Sequence, residues 1–473
     1  MKRRLIFLVA LLALLSGLTL AFSPAAHAET RSSQIPGNCI VATSTNVLTG
    51  NIGGANYLIE VPSNWNGTLV LYSHGYVFPG NPLTAKDAGD PLTEAAMLQA
   101  GYALAGSSYS QNGWALQQAF HDQIALLNFF NKTCGHPLRT VAWGHSLGGI
   151  ITAGLVQLNP DRFAGALPMC GVVAGGVGTW NQGLDSAFAF DVLLAGNALP
   201  IVNLPPLGSS ALNTDFKNAE GILTNAQSTV QGRARIALAA ALADIPGWFT
   251  TGSPEPASTD FATQEVNQFD WQSQVDFAFA FFGRAELEAR AGGNPSWNTG
   301  VDYRDQLNKS ADSKEVRALY QQAGLSLDKD LATLNAAPRI AANPGAVEYL
   351  NTYISFDGDL NIPVLTMHTT GDGLVENQDE QAYASVVRSE GDSNLLRQVF
   401  VHRAGHCAFT PAETLTAFAT LIHRVNTGKW GDTTDPGLMN AEATSLGSTL
   451  NLAPAAFINF EPTVFLRPFF KRN

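Results

Sequence analysis

The segment from Gly144 to Gly148 places Ser146 between two glycines in the pattern G-x-S-x-G. A serine hydroxyl is a weak nucleophile at neutral pH and needs an adjacent base to attack a carbonyl carbon. The preceding residues, TVAW, predict a strand, and the following GGIITAGLVQL predicts a helix. Small residues two positions before and after the serine permit the sharp strand-to-helix turn that exposes such a hydroxyl. The pattern therefore predicts a nucleophilic serine, with an ordinary glycine-rich turn as the structural alternative.

This motif, in its strand-turn-helix context, resembles the α/β-hydrolase superfamily, whose members carry serine, acid and histidine in that order along the chain. The resemblance implies that the acid follows a later strand, where Asp372 comes directly after the apolar segment IPVLTM. An aspartate beside a glycine is also common in plain turns. Glu376 is the second candidate, whereas Asp357 and Asp359 precede the strand and are expected at the opposite edge of the sheet.

The resemblance also implies a general base among the three histidines that follow Asp372. His402 lies inside the predicted strand QVFVHR and His423 on the last predicted helix, so both are interpreted as packed or surface residues. His406 lies in the loop after that strand, from which it can reach both the serine and the acid. We therefore predict Ser146, His406 and Asp372 as the catalytic residues.

Two backbone amides are expected to bind the oxyanion of the tetrahedral intermediate. One is that of Leu147, directly after the nucleophile, and by resemblance to the His-Gly pair of lipases and esterases the other is that of Tyr76. The pair His74-Gly75 is otherwise an ordinary turn at a strand end. Tyr109 and Trp114 follow the next predicted strand and are expected either at the mouth of the site or in the core. The candidate substrate-binding residues are His74, Tyr109 and Trp114.

The four cysteines are predicted to form the disulfides Cys39–Cys134 and Cys170–Cys407, with four free thiols as the alternative. Cys170 and Cys407 belong at the carboxyl edge of the sheet, whereas Cys134 precedes the nucleophile strand and belongs at the opposite edge. A strand of five or six residues separates these edges by roughly 17–20 Å, beyond the reach of a disulfide.

Secreted tannase- and feruloyl-esterase-like hydrolases also carry a cysteine directly after the catalytic histidine, as Cys407 follows His406 here. In those proteins the partner cysteine precedes the serine. His145 occupies that position in this chain, so the resemblance does not extend to this feature.

The elements that must position these residues alternate between strand-like and helical segments in two separated parts of the chain. We predict an α/β-hydrolase fold, with a mostly parallel sheet flanked by helices and a large helical lid insertion. Phe277 and Phe281 are four apart in the insertion, with Phe282 adjoining, and are expected to form either the acyl pocket or the lid's own core. The predicted divisions are a signal peptide (1–28), the first part of the core (29–172), the lid (173–358), the second part of the core (359–429) and a C-terminal arm (430–473).

The first 28 residues have the pattern of a secretory signal peptide. A basic segment at residues 2–4 precedes an apolar run at residues 5–15, and Ala26-His27-Ala28 fits an A-x-A processing site. The apolar run is shorter than the ~18 residues of a membrane span, and an uncleaved anchor is the alternative. We expect an exported protein, extracellular or periplasmic, without an integral membrane span.

The composition is that of a globular chain with a net negative charge. Apolar residues make up 45% and charged residues 14%, which excludes a disordered or highly charged chain. The net charge of −12 argues against nucleic acid as a partner, because phosphate binding needs a basic surface. The histidines are dispersed and no Cys-x-x-Cys, His-Glu-x-x-His or phosphate-binding glycine motif occurs, so we expect no metal and no cofactor.

The resemblance thus implies a secreted serine hydrolase that cleaves carboxylic esters, of small molecules or of polymers, through an acyl-enzyme on Ser146. The alternatives are a prolyl-oligopeptidase-like serine peptidase and a non-catalytic, hydrolase-like binding module. A helical, phenylalanine-rich insertion without propeller-like repeats favours esters, and the sequence reveals no acidic pair that would bind a free amino terminus. Serine, acid and histidine in the expected order favour an enzyme over a binding module.

Overall fold

The computed structural model describes residues 39–41 and 43–467, so the predicted signal peptide lies outside the described residues. Nine strands form one sheet in the spatial order β1-β2-β4-β3-β5-β6-β7-β8-β9. The strands are β1 (Asn46–Ile52), β2 (Ala55–Val61), β3 (Thr68–Ser73), β4 (Ala103–Ser107), β5 (Arg139–His145), β6 (Gly165–Met169), β7 (Val364–Gly371), β8 (Leu396–Ala404) and β9 (Phe457–Ile458). The six strands from β4 to β8 pair in parallel, whereas β1, β2 and β9 pair with their neighbours antiparallel.

Helices cover both faces of the sheet and fill the long segment between β6 and β7. The α-helices are α1 (Pro91–Gln99), α2 (Leu116–Thr133), α3 (Leu147–Leu158), α4 (Gly175–Phe190), α5 (Ser210–Gln227), α6 (Val230–Ala241), α7 (Phe261–Trp271), α8 (Arg284–Ala291), α9 (Tyr303–Lys309), α10 (Ser313–Ala323), α11 (Leu327–Ala336), α12 (Pro344–Thr352), α13 (Gln378–Glu390), α14 (Pro411–Thr427) and α15 (Pro436–Ser445). The predicted fold class, a mostly parallel sheet flanked by helices, is confirmed.

The central strands are buried on both faces, and their sequences explain why. Every residue of β3 (TLVLYS), β4 (ALAGS) and β6 (GALPM) is buried, so these strands are continuous small or apolar runs rather than alternating ones. Parallel strands end at the same edge of the sheet. The segments that follow β3, β5, β7 and β8 are therefore brought together at the carboxyl edge, as is usual for the sites of open α/β sheets.

The segment between β6 and β7 is helical throughout its regular structure and has a hydrophobic core of its own. That core is built largely from α4, α5, α6, α10 and α11, with Leu212, Leu238 and Leu334 fully buried in it. Three short π-helical stretches interrupt the helical regions, at residues 191–195, 272–276 and 279–283. Phe281 packs in the core of the insertion with Phe282 against it, whereas Phe277 belongs to that core and also reaches the cavity described below.

Two parts of the sheet were not identified in the sequence. The hairpin of β1 and β2 turns at Gly53 and Gly54, both with positive φ, and extends the sheet beyond β4. The C-terminal arm, which the sequence left unplaced, adds α15 and the two-residue strand β9 against β8. No helix among residues 39–41 and 43–467 is long and apolar enough to cross a membrane.

Both predicted disulfides are present in the structure. Cys39 pairs with Cys134 and Cys170 with Cys407, and the two Cα–Cα distances are 4.9 and 5.3 Å. The first bridge joins the N-terminal segment to the end of α2. The second joins the end of β6 to the loop after β8, across the carboxyl edge of the sheet.

The two disulfides are expected to have different consequences when they are removed. Replacing Cys39 and Cys134 by serine should lower the free energy of unfolding by about 4–5 kcal/mol, because the bridge closes a loop of 95 residues, and activity well below the melting temperature should persist. Replacing Cys170 and Cys407 should lower both stability and activity, because Cys407 adjoins His406. Urea unfolding and a hydrolysis assay on both double variants measure this. Equal activity losses in the two variants would contradict the difference.

Candidate active site

Ser146 lies at a sharp turn between β5 and α3, with φ +60° and ψ −124°. A non-glycine residue seldom adopts this region of backbone space, and such strain persists only where the surroundings enforce it. The turn packs directly on the end of β3. A Cβ on Gly148 would lie 1.9 Å from the carbonyl oxygen of Ser73, and one on Gly144 would lie 2.5 Å from the same oxygen. Glycine is thus required at both positions for the turn to fit.

His406 bridges the serine to a buried acid. Its Nε2 lies 2.7 Å from Ser146 Oγ, and its Nδ1 lies 2.7 Å from Asp372 Oδ2. The amides of Leu374 and Val375 donate to the other carboxylate oxygen, at 3.1 Å each. In this arrangement Nδ1–H donates to Asp372, and Nε2 can accept the proton of the serine hydroxyl. The structure thus brings together the three side chains that the sequence predicted as catalytic.

A second histidine, His368 on β7, contacts the same aspartate and was missed in the sequence. Its Nε2 lies 2.7 Å from the carbonyl oxygen of Val375 and 3.5 Å from Asp372 Oδ2, and its Nδ1 lies 3.2 Å from Glu380 Oε1. Both ring nitrogens face acceptors, so both carry hydrogen and the ring is an imidazolium. Burial alone would lower the pKa of His368, but the bonds to Asp372 and Glu380 outweigh it and raise that pKa to about 10.

The charge of Asp372 is sustained by these two histidines. Burial by itself would raise the pKa of its carboxyl, but the electrostatic interaction with His406 and the hydrogen bonds to His368 and His406 hold that pKa well below its usual range. Glu376, the second candidate acid, has the opposite state. Burial, and then the nearby carboxyl of Asp276, raise its pKa well above the usual range. Burial therefore favours the uncharged form of Glu376, and this side chain lines a cavity rather than contacting His406.

The two residues predicted to bind the oxyanion, Leu147 and Tyr76, line one cavity with Ser146. Leu147 is the first residue of α3, so its amide has no acceptor within the helix. Gly75, in the loop after β3, passes close to the serine, since a Cβ there would lie 3.2 Å from Ser146 Cβ. Tyr76 follows Gly75 and lines the cavity with Ser146 and Leu147.

A cavity of about 1000 Å³, counted with the solvent-open space at its mouth, opens onto Ser146. The aromatic residues that line it are Tyr76, Trp114, Trp180, Phe190, Phe277 and Phe279. Of the predicted substrate-binding residues, only Trp114 is among the lining residues. His74 and Tyr109 are buried at 6% and 1% exposure and stack on each other, and the Tyr109 hydroxyl donates to the His74 carbonyl at 3.0 Å. These two side chains support the loop after β3 instead of lining the cavity.

Three ionisable residues also line the cavity, and all of them belong to the insertion or to the loop after β7. Asp276 and Glu376 lie near the acid of the site, and burial, then Asp372, raise the pKa of Asp276 well above its usual range. Arg284 donates to the carbonyl of Trp180 and to Ser296 Oγ, and its nearest carboxylate, Glu288, is 4.0 Å away. The cavity therefore presents two acids whose uncharged forms are favoured by burial, and one guanidinium, among aromatic walls.

Comparison with known proteins gives a relative across most of the chain. The o-phthalyl amidase of Xanthobacter agilis is 31% identical over 424 residues, which cover 84% of this chain and 90% of the amidase. The chain belongs to the same family as this amidase, within the α/β-hydrolase superfamily. It is a hydrolase. No protein-family model matches the sequence.

Solved structures of the superfamily are similar at low sequence identity. Feruloyl esterase B from Aspergillus oryzae is 13% identical, with a TM-score of 0.39 and coverage of 81% of each chain. Proline iminopeptidase from Mycobacterium smegmatis is 14% identical, with a TM-score of 0.36, and the match covers 81% of this chain and 99% of that one.

His145 directly precedes Ser146, at the position where the tannase- and feruloyl-esterase-like hydrolases carry a disulfide-bonded cysteine. The Tyr72 hydroxyl lies 3.1 Å from His145 Nδ1, and burial lowers the pKa of His145 to about 4, so the ring is neutral. Cys407 is bonded instead to Cys170, one strand further along the sheet. The remaining candidates lie away from the site: Asp357, Asp359, His402 and His423 are all exposed.

His368→Gln is expected to lower kcat by about tenfold, far less than the ~10⁴-fold expected on loss of the acid itself. The acidic limb of the pH–rate profile should move to higher pH, because a nearby positive charge that opposes protonation of His406 is lost. The folded-state pKa of His368 is raised, so its contribution to stability is present below about pH 6.5 and lost as the pH rises towards about 10. Stability measured against pH should lose that step in the variant.

The matched control is His402→Gln, on the neighbouring strand at the exposed surface. It should change neither the pH–rate profile nor the pH dependence of unfolding. A profile for His368→Gln that only scales down, without a shift of its acidic limb, would assign His368 a purely structural role.

Proposed function

We propose that this chain is a serine hydrolase that cleaves carboxylic acid derivatives through an acyl-enzyme on Ser146. The observation that carries the proposal is the pair of 2.7 Å contacts that link Ser146, His406 and Asp372 at the base of the cavity. His406 accepts the serine proton as the hydroxyl attacks the carbonyl carbon, and Asp372 orients and stabilises the resulting imidazolium. The amides of Leu147 and Tyr76 stabilise the oxyanion. His406 then protonates the leaving group, and water releases the acid by the same steps.

The bond cleaved is proposed to be an amide as well as an ester. The sequence favoured esters alone, whereas the relative at 31% identity is named as an amidase. An amide nitrogen must be protonated before it leaves, and His406 carries the serine proton at that stage. The same residues can therefore catalyse the cleavage of both amides and esters. Phthalyl amides are the first amide substrates to test.

The acyl group is proposed to be aromatic. Trp114 and Trp180 lie edge to face with ring centroids 5.6 Å apart, and Phe279 lies 5.3 Å from Tyr76. Flat apolar walls of this kind favour rings through burial and through offset or edge contacts. The insertion supplies Trp180, Phe277 and Phe279, and in this proposal it acts as a lid that selects the acyl group while Ser146 performs the reaction.

A peptidase is the second candidate, and the acids of the cavity favour it. Asp276 and Glu376 both line the cavity, and a pair of this kind could bind the free amino terminus of a peptide. The sequence did not reveal the pair because the two residues are 100 positions apart and belong to different parts of the fold. Both carboxyls have raised pKa values, so binding an ammonium group would require release of at least one proton.

A substrate panel distinguishes these possibilities. Benzoyl and butyryl groups on p-nitrophenol, benzoyl and 2-carboxybenzoyl groups on p-nitroaniline, and aminoacyl p-nitroanilides should be compared by kcat/KM. The proposal expects benzoyl esters to exceed butyryl esters and both aroyl anilides to be cleaved. Turnover of esters alone would restore the narrower ester specificity, and cleavage of aminoacyl anilides alone would favour the peptidase.

Ser146→Ala is expected to lower kcat on the order of 10⁶-fold and to abolish labelling by a fluorophosphonate, without a change in the far-UV circular dichroism spectrum. His406→Ala should lose a comparable factor and Asp372→Asn about 10⁴-fold. Glu376→Gln is the matched control for the acid. Activity retained in Ser146→Ala would refute the mechanism, and a harmless Asp372→Asn beside a damaging Glu376→Gln would reassign the acid alone.

Phe279→Ala is expected to lower kcat/KM for benzoyl substrates by about tenfold while leaving acetyl esters nearly unchanged, because an aromatic wall of the acyl site is lost. The control is Phe282→Ala, a phenylalanine of the same π-helical stretch whose ring packs on Phe216 at 4.8 Å and does not line the cavity. Equal effects of the two variants on all substrates would argue that Phe279 acts only through the stability of the insertion.

Secretion is part of the proposal. Two disulfides fit an oxidising compartment, and the N-terminal pattern fits a signal peptide. Expression of the full chain followed by N-terminal sequencing of the exported form tests this, with Glu29 expected as the first residue after cleavage at Ala28.

A further inference from the structure

Three carboxyl groups from separate positions in the sequence lie close together in the fold. Glu60 is on β2, Asp87 is in the loop between β3 and α1, and Glu94 is in the first turn of α1. One carboxyl oxygen from each lies within 4.8 Å of the other two. Asp87 is 1% exposed, whereas Glu60 and Glu94 are half-buried.

No basic side chain among the described residues neutralises the charge of these carboxyls. No lysine, arginine or histidine there forms an ion pair with Glu60, Asp87 or Glu94. Asp87 Oδ2 and Glu60 Oε2 are buried and accept no hydrogen bond from a group outside the cluster. A buried acceptor without a donor is costly, and like charges in one small space repel. Either a metal cation or shared protons are therefore needed between the three groups.

We propose that Glu60, Asp87 and Glu94 form a binding site for a hard divalent cation, with Ca²⁺ as the best fit. Ca²⁺ binds oxygen ligands at about 2.3–2.6 Å, so oxygens on opposite sides of one ion are at most about 5 Å apart. The three carboxyl oxygens satisfy that limit. The ligand set contains only carboxylates, which suits Ca²⁺ or Mg²⁺ rather than Zn²⁺ or copper. The partial exposure of Glu60 and Glu94 leaves room for the water ligands that complete the shell.

A cation at this site would fix one end of the loop after β3, whose other end lies beside Ser146. The loop after β3 begins with His74, Gly75 and Tyr76, and it returns to the sheet at Lys86 and Asp87. At this return it packs tightly on β4, where a Cβ on Gly106 would lie 1.7 Å from the Lys86 carbonyl oxygen. A cation bound to Asp87 would join this loop to β2 and to α1. The expected effect is thus on stability first.

The sequence could not reveal this site. Positions 60, 87 and 94 match no metal-binding spacing, and the expectation of no metal rested on dispersed histidines and cysteines. The carboxyls meet only because β2 lies beside β4 and the loop after β3 crosses that end of the sheet.

Thermal unfolding of the full exported protein tests the proposal, after removal of metal with EDTA and a chelating resin. The melting temperature should rise saturably with CaCl₂, by at least about 3 °C at 5 mM, and much less with NaCl of equal ionic strength. Tb³⁺ luminescence should report binding that Ca²⁺ displaces. Because Asp87→Asn and Glu60→Gln remove repulsion, each should match or exceed the wild type in EDTA and lose the response to Ca²⁺.

Asp432→Asn is the control, an exposed acid elsewhere on the chain that should keep the full response. The absence of any saturable response to Ca²⁺, Mg²⁺ or Mn²⁺ in the wild type would overturn the proposal and leave a shared proton as the positive species. A response unchanged in both Asp87→Asn and Glu60→Gln would also overturn it, because the cation would bind elsewhere. If Asp87→Asn does not fold, Glu60→Gln and the Tb³⁺ measurement decide. None of these readouts depends on the reaction of Ser146.

Discussion

A carboxylate with no exposed surface, Asp372, is the group around which the candidate active site is arranged. Removing a charge from water costs several kcal/mol, so the ion persists only where the protein replaces its hydration shell. Two backbone amides of the following turn bind one oxygen, His406 binds the other, and the imidazolium of His368 lies 3.5 Å away. The charge of Asp372, which orients His406, therefore depends on the register of β7, because this register positions both His368 and the turn that follows the strand.

The same charge shapes the chemistry of the cavity. Asp276 and Glu376 are close enough to Asp372 to be affected by it, and in a desolvated site the like charges cannot all ionise. The acid that contacts a histidine is favoured in its ionised form and the other two in their uncharged forms. An uncharged carboxyl can donate a hydrogen bond, so the cavity wall beside Ser146 favours donors over anions. In the proposed reaction, a wall of this kind would accept a neutral aromatic acyl group and would strengthen the electrostatic contacts to the oxyanion by excluding water.

The sequence predicted what depends on local pattern and chain order. Three segments each follow a strand that the sequence predicts clearly: the sharp turn at Ser146, the turn after β7 and the loop after β8. Their positions and the sheet edge that they share could therefore be inferred. Side-chain contacts that depend on tertiary packing could not be inferred from the sequence. His368 lies within the strand MHTTG, where an alternating histidine looks like any core residue. Tyr109 was expected either at the mouth of the site or in the core, and it lies in the core. Its ring stacks on His74 beneath the loop, and its buried hydroxyl is paired with the His74 carbonyl.

The C-terminal arm adds to the contacts that hold the large insertion on the sheet. Part of the insertion already shares the core of the sheet, in which Val177, Trp180 and Leu350 are buried. Arg467, the last described residue, lies 3.0 Å from the carboxylate of Asp185, which is buried in α4 at the start of the insertion. The Tyr303 hydroxyl donates to the other oxygen of Asp185. Ten residues before Arg467, the arm forms β9, which pairs with β8 at the edge of the sheet. One end of the arm is thus fixed to the core and the other to the insertion. The arm can do this without a strong secondary-structure signal of its own, since its backbone pairs with β8 and the guanidinium of Arg467 contacts a carboxylate already desolvated by the insertion.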